Sequence, residues 1–398
     1  MTHRLPLAII ANEPTPYRVN FHRRIALEMP DVELWSLFTD QVSSSPWQYR
    51  ADPTIETVWF GTRECHQTNA LRASFSKWLQ GGAITHWLES HAIRAIVLYG
   101  YNDAARFRVL RWAWARRIPC FLFGDGNVRC DMARGLRALV KRRYVPWVLR
   151  RTSGVFYCGS LGRSYFLRYG AKEDQMYSVP YEPDYALFAG AGPAHRANAC
   201  ERYGLSGSRR YLLFAGRMIA SKRPDLLVSA FESIAGARPD WDLVMVGDGP
   251  LLGPLRSIDR GLLNGRIHWL GFIAEPAELA NLFAACDVFV LPSEFEPWGV
   301  VITEAAHRLA LIASSVVGAG ADLIEDGVNG RIFASGSAEA LRRALLEVTD
   351  SANTSRMKAA SPGILARWRE SSDPVRSLRR ALESVKLLPP PDSLVNGR

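Results

Sequence analysis

The chain has 398 residues, 48% of them hydrophobic and 22% charged, with 31 Gly and 23 Pro. At about 150 residues per domain that length gives two to three domains, and the composition excludes intrinsic disorder as well as collagen-like and low-complexity classes. The formal net charge of +10 sits in one window, 101–151, where thirteen Lys and Arg stand against Asp103, Asp125 and Asp131, with Trp112, Trp114, Tyr144 and Trp147 interleaved.

Such a face suits anionic lipid head groups, a diphosphate-bearing acceptor or nucleic acid. A solvated helix face with some aromatics in the core also accounts for it. The six cysteines (Cys65, Cys120, Cys130, Cys158, Cys200 and Cys286) form no C-x-x-C pair and no zinc-spaced cluster, so they read as small core residues in a reducing compartment. The first apolar run, 5–11, is cut short by Asn12-Glu13-Pro14, which fits a first strand and not a signal segment. No run approaches the roughly 20 apolar residues of a membrane span. A cytoplasmic protein is expected, with a peripheral position on the inner face of the cell membrane open through the basic window.

In chain order, strand-like runs fall at 5–10, 32–38, 57–60, 95–100, 119–124, 155–159, 211–216, 242–249, 266–272 and 287–292. Amphipathic segments of ten to fifteen residues separate most of them, the pattern of βαβ units in a doubly wound parallel sheet. The alternation restarts near Tyr211, after a polar, Gly/Ala/Pro-rich stretch at 182–198 that reads as the connection between two Rossmann-like domains. After Phe333 only helices are expected, at 338–348, 355–368 and 373–385, followed by a frayed tail. The expected division is 1–180, 181–365, and a crossover helix and tail at 366–398 that packs on the first domain.

Ligands of open parallel sheets bind beyond the carboxyl ends of the strands. The turn after 211–216 reads Gly216-Arg217-Met218-Ile219-Ala220-Ser221-Lys222-Arg223-Pro224. Gly216 allows a ligand close to the backbone, and Pro224 is suited to start a helix. Arg217 as a planar fork and Lys222 as a point charge fit a diphosphate, although a solvated basic loop has the same residues. Gly247-Asp248-Gly249-Pro250 fits either a tight turn near a ligand or a helix-capping turn.

The strongest signal is 293–305, Ser-Glu-Phe-Glu-Pro-Trp-Gly-Val-Val-Ile-Thr-Glu-Ala. Glu296 lies just before a helix expected to start around 297–299, whose Gly299 and Val300 N–H groups favour an anion. Glu304 lies more than one turn further on. Two such carboxylates can grip different hydroxyls of a sugar nucleotide. As plain structure, Glu296 is a first-turn acid and Glu304 a helix glutamate whose apolar neighbours argue for burial.

Taken together, Gly216-Arg217 with Lys222, Gly247-Asp248-Gly249-Pro250, Trp269-Leu270-Gly271-Phe272, Pro292-Ser293, Glu296-x7-Glu304, Val317-Gly318-Ala319 and Asp326-Gly327-Val328-Asn329-Gly330 resemble the donor domain of GT-B retaining glycosyltransferases of family 4. The resemblance covers about 210–335. A softer one extends to Pro14-Thr15-Pro16-Tyr17-Arg18 and 159–170. It implies an α/β GT-B fold, with two Rossmann-like domains across a cleft and a final helix crossing back to the first.

It also implies a hexosyltransferase that needs no metal and no cofactor beyond its nucleoside-diphosphate-sugar donor. Arg217 and Lys222 would bind the diphosphate, Glu304 the ribose, Glu296 the transferred sugar, and the backbone at Gly271, Phe272 and Ile273 the base. Two departures stand out. The Gly-x-Pro stop after Glu304 is replaced by Ala306-His307-Arg308-Leu309-Ala310-Leu311, so looser packing is expected there. The family's histidine after the fifth strand is replaced by Gly124-Asp125-Gly126-Asn127, so Asp125 or Asn127, along with Tyr17 and Arg18, are acceptor-side candidates; an ordinary Asp-Gly turn fits equally.

The D-x-D spacing of Asp240-Trp241-Asp242 precedes a buried strand instead of ending one, and reads as a turn plus strand start with no metal. The expected acceptor is a glycan or lipid-linked molecule of cell-surface polysaccharide or lipopolysaccharide synthesis. A GT-B nucleotide-sugar epimerase or hydrolase would share the donor residues. A nucleic-acid-binding protein would use the basic window, but no DNA- or RNA-binding motif accompanies it, and no nucleic-acid partner is expected.

Overall fold

The central apolar runs become strands because they are buried on both faces, which a parallel sheet covered by helices provides. The computed structural model describes residues 4–40, 52–61, 70–190, 192–258, 263 and 265–389. Its strands are β1 Leu5–Ala11, β2 Val32–Phe38, β3 Glu56–Trp59, β4 Ala95–Tyr99, β5 Cys120–Gly124, β6 Gly154–Tyr157 and β7 Met176–Ser178, then β8 Arg210–Ala215, β9 Trp241–Val246, β10 Ile267–Gly271, β11 Val288–Leu291, β12 Ala310–Ser314 and β13 Gly330–Phe333.

The helices are α1 Pro16–Glu28, α2 Ala70–Ser90, α3 Ala104–Ala115, α4 Gly135–Leu149, α5 Gly159–Arg168, α6 Tyr185–Ala189, α7 Pro193–Tyr203 and α8 Pro224–Ile234. They continue with α9 Leu252–Ile258, α10 Pro276–Ala285, α11 Val300–Ala305, α12 Gly318–Leu323, α13 Ala338–Val348, α14 Ser351–Ser371 and α15 Pro374–Ser384.

The chain divides into two compact units, Met1–Cys158 with Gly162–Tyr181 and Ser372–Arg398, and Gly159–Leu161 with Glu182–Ser371. In the first, seven strands pair in the order β3-β2-β1-β4-β5-β6-β7, every pair parallel. The central strands β1, β4 and β5 are buried almost throughout. In the second, six parallel strands run β10-β9-β8-β11-β12-β13. Each order reverses once, between β1 and β4 and between β8 and β11, and such a switch point opens a crevice at the strands' carboxyl ends.

Local sequence explains many helix starts. Pro16, Pro224 and Pro276 occupy first-turn positions, where the missing N–H costs nothing. Asp103, Ser337 and Asp373 cap α3, α13 and α15 by accepting from the backbone N–H of Arg106, Ala340 and Arg376. As expected, the final helix returns to the first unit, where Arg379 pairs with Asp31 at 2.8 Å and Asp373 with Arg24 at 2.7 Å.

Three strands escape the sequence reading: β7, β12 and β13, of three to five residues each. The expected looseness after Glu304 is also corrected. The segment leads straight into β12, with Leu309 and Ala310 fully buried. His307 stacks on Phe188, and Arg308 donates to the Phe188 carbonyl at 2.9 Å, so α6 pins the turn in place of a proline. The described cysteines are free thiols, four of them buried; Cys65 lies outside the described residues. No described helix is long and apolar enough to cross a membrane.

Candidate functional site

At the switch point of the second unit, the loops leaving β8 and β11 are laced together. The N–H groups of Glu294 and Phe295 both donate to the Ser221 carbonyl, at 2.9 and 3.3 Å. Across the same seam Arg223 pairs with Glu294, and Lys222 pairs with Glu296. Lys222 and Glu296 are well shielded, with side chains only 15% and 12% exposed. Sequence reading thus placed both residues in one site, but as contacts to different parts of a ligand and not as partners of each other. Arg217 stays exposed on the rim of the β8 loop.

The Gly247-Asp248-Gly249 turn supports this loop from below. The Met218 N–H donates to the Asp248 carbonyl at 2.8 Å, and Leu251 donates back to the Met218 carbonyl at 3.0 Å. Gly247 has φ +128°, and a Cβ there would collide with the Gly216 carbonyl, so only glycine lets the two loops approach. The Gly247 N–H in turn donates to Gly271 at 2.8 Å, tying in the end of β10. Next to Gly271, Phe272 is half-buried and Ile273 is buried at 7% exposure.

Helix α11 begins at Val300, slightly later than expected, because Gly299 takes a left-handed φ of +89° at its cap. The loop before it is held by α12, where Gly318 donates to the Glu296 carbonyl at 3.2 Å and Ala319 to the Trp298 carbonyl at 2.7 Å. This clamp was not read from the sequence; the small residues Gly318-Ala319 after a strand were its only trace.

Glu304 sits on the second turn of α11, half-buried. Burial alone pushes its carboxyl up to about 7. It is therefore a carboxyl that exchanges its proton near neutrality.

Asp242 is committed elsewhere. Burial works to raise its pKa, but hydrogen bonds from His268 and Arg209 outweigh that and hold it below the ordinary carboxylate value. With Arg209 at 2.6 Å and His268 at 3.0 Å, it is an internal anchor of β9, consistent with a strand start and not a ligand-facing motif.

In the first unit, Tyr17 and Arg18 open α1 at the β1–β4 switch point, both half-buried. Asp125 is exposed at the end of β5. Asn127 is buried, and its side-chain oxygen accepts from the Arg129 N–H at 2.8 Å, so it shapes its own turn.

The basic window is not one uniform face. Arg106 is 5% exposed and spans the switch point, donating to the Tyr99 carbonyl at 2.6 Å and pairing with Asp103 and Asn12. Lys141 pairs with Asp131 at 2.7 Å and lies over the rings of Tyr165 and Tyr169. Arg151 is stacked on Trp147 and Trp114. Arg137, Arg142 and Arg143 remain exposed on α4, beside exposed Leu136, Leu139 and Val140.

Two parallel-sheet Rossmann-like units, with the last helix returned to the first, define the GT-B class of fold. Solved GT-B structures share it: sucrose-phosphate synthase from Thermosynechococcus elongatus has a TM-score of 0.75 at 18% identity, covering 96% of this chain and 100% of that one. Anabaena HepE in complex with UDP-glucose has a TM-score of 0.69 at 16% identity, covering 97% and 100%. Residues 196–361, within the second unit, match the family model described as glycosyl transferases group 1. The chain is also similar to the alpha-D-kanosaminyltransferase of Streptomyces kanamyceticus, 34% identical over 140 residues, 34% of this chain and 35% of that one. Matches to the first curated relatives span between about a third and about a half of those proteins' length.

Proposed function

We propose that the protein transfers a hexose from a nucleoside-diphosphate sugar to a hydroxyl of a glycan or lipid-linked acceptor, with retention at the anomeric carbon. The observation that carries this reading is the Lys222–Glu296 pair at the β8–β11 switch point, next to exposed Arg217 and the half-buried carboxyl of Glu304.

In the reaction the bond from the anomeric carbon to the diphosphate oxygen breaks, and the electron pair leaves with the phosphate. The acceptor oxygen attacks from the same face, and its proton passes to the departing phosphate. Lys222 and Arg217 stabilise the charge that grows on that phosphate, as preorganised cations do in a shielded site. Before donor arrives, Glu296 neutralises Lys222. When the diphosphate takes the lysine, the carboxylate is released toward the sugar. Glu304 accepts from ribose hydroxyls, and the backbone at Gly271–Ile273 borders the base. No step in this scheme calls on a metal ion.

The acceptor side rests on α4, whose exposed Leu136, Leu139 and Val140 stand among Arg137, Arg142 and Arg143. That combination supports an acceptor presented at the inner face of the cell membrane, as in polysaccharide or lipopolysaccharide assembly.

The test is Lys222→Ala assayed with a panel of nucleotide sugars. A drop in kcat/KM of about a hundredfold or more is expected, the usual cost of removing one preorganised stabiliser of developing charge. Because the substitution strands Glu296 as a shielded carboxylate, Lys222→Ala/Glu296→Gln serves as the control for folding. Near-normal turnover in a folded Lys222 variant would remove this loop from the site.

A further inference from the structure

The switch point of the first unit holds a cation that makes no ion pair with a carboxylate among the described residues, although Asp125 acts electrostatically on the three tyrosines around it and Glu13 on Tyr17. Arg18, in the first turn of α1, has its guanidinium carbon 5.4 Å from the ring centre of Tyr99 and 5.8 Å from those of Tyr17 and Tyr181. Three elements distant in sequence supply this cage: the first turn of α1, the end of β4, and the segment after β7. Tyr17 and Tyr181 are 4.7 Å apart centre to centre, and Tyr181 also packs on Phe123 of β5 at 5.0 Å.

Arginine's N–H groups lie in the guanidinium plane, whereas aromatic rings satisfy its faces. Of five N–H donors, one on Nη1 is taken by the Glu13 carbonyl at 2.7 Å. Nε is buried without an acceptor. Among the described residues no carboxylate forms an ion pair with Arg18.

The phenols cannot substitute for one. Burial raises the pKa of Tyr17, Tyr99 and Tyr181, so all three are neutral at physiological pH. His22, one turn further along α1, is driven down to about 3 by burial, with Arg18 adding to the effect, and is neutral too. A shielded cation in direct contact only with neutral groups is costly unless an anion completes it. Cation–π contact returns only part of that cost and does not replace a counter-ion.

We propose that Arg18, caged by Tyr17, Tyr99 and Tyr181, is a docking point for a phosphate group carried by the acceptor. The inference rests on the transferase reading given above and narrows its acceptor to a phosphorylated one. A flat, bidentate donor fork suits a phosphate oxygen pair. The aromatic walls fix the plane of that fork and suit the apolar face of a sugar ring or the start of a lipid chain. A sugar phosphate and a polyprenyl diphosphate share this chemistry, and the experiment separates them.

The full-length chain, labelled with ¹⁵N at arginine, is titrated with inorganic phosphate at constant ionic strength. The Arg18 Nε resonance, assigned by its loss in Arg18→Lys, should shift saturably with phosphate and ignore chloride. A resonance that does not respond to phosphate overturns the proposal without reference to any variant. In transfer assays, α-glucose 1-phosphate and a short polyprenyl diphosphate in detergent are offered as competitors. Whichever competes identifies the source of the phosphate; competition by neither overturns the proposal.

Arg18→Met keeps the packing stem and removes the charge, so inhibition by the effective competitor should weaken about ten- to a hundredfold, the range of a charged hydrogen bond. A purely structural arginine would lower the thermal midpoint and leave that inhibition constant unchanged, which would also overturn the proposal. Failure of the transferase reading is distinguishable, because it shows as no nucleotide release from any sugar donor by the unaltered protein, while the phosphate titration remains readable.

Discussion

At the scale of single residues, the ligand role proposed for Glu304 and stability oppose each other. Its folded pKa of about 7 stands above the ordinary value of 4.5, so across that interval the folded chain holds a proton that the unfolded chain has lost. Stability therefore falls as pH rises through this window, and the full penalty is present above it. Glu304→Gln removes the ionisable group. Its thermal midpoint should exceed the parent's at pH 8, by about 2–4 °C for each kcal/mol recovered in a domain of this size, with a much smaller gain at pH 5. The same variant should bind nucleoside diphosphate more weakly, because amide replaces the carboxylate offered to the ribose. Calorimetric unfolding at the two pH values checks the first outcome, and nucleotide titration the second. A midpoint gain that is equal at both pH values would mean that Glu304 titrates normally. Chain pattern alone picked out this glutamate through its apolar neighbours, but not its altered acidity, which depends on what packs around α11.

Elements show a different division. The long, alternating strand–helix order was legible because each buried strand is a continuous apolar run. β12 was not, because Ala310–Ser314 follows a six-residue helix without a stop signal, and α6 rather than local sequence ends that helix. Helix α4 shows the same limit. Counting charge treats Lys141, Arg142 and Arg143 alike, yet Lys141 is tied to Asp131 and to two tyrosine rings. Only the arginines are free of that framework, so they are the ones to change in a membrane test. Arg142→Gln/Arg143→Gln and Leu136→Ser/Leu139→Ser should each reduce sedimentation with anionic vesicles, the first pair by about 1 kcal/mol per charge removed. The electrostatic part should fade as salt shortens the Debye length from about 10 Å at 0.1 M to about 3 Å at 1 M. Vesicle binding indifferent to both pairs and to salt would leave α4 as a solvated face, and would take the membrane-side acceptor with it.

On the scale of the whole molecule, the last helix belongs to the first unit although the chain reaches it through the second. α15 buries Val375, Leu378 and Leu382 there, and its Ser384 accepts from the Tyr177 hydroxyl at 2.8 Å. Three such side chains are worth about 1.5–3 kcal/mol each when fully buried, a large part of the 5–15 kcal/mol that holds a typical domain. Ending the chain at Ser371 should therefore destabilise the first unit selectively. Scanning calorimetry should show its transition moved down or lost while that of the second unit persists; two unmoved transitions would show that the helix contributes little. Sequence by itself determined the doubly wound class, the restart near Tyr211, the glycine-bearing turns after β8 and β9 and the concentration of charge, because each is written in contiguous residues whose period or spacing reflects one strand, one turn or one helix. Tertiary structure alone decided that Lys222 meets Glu296, that Arg106 is an internal strut, and that Arg18 stands among three tyrosines. Those outcomes depend on strand order, which brings the ends of β1, β4 and β7, or of β8 and β11, to one place through contacts that no local pattern encodes.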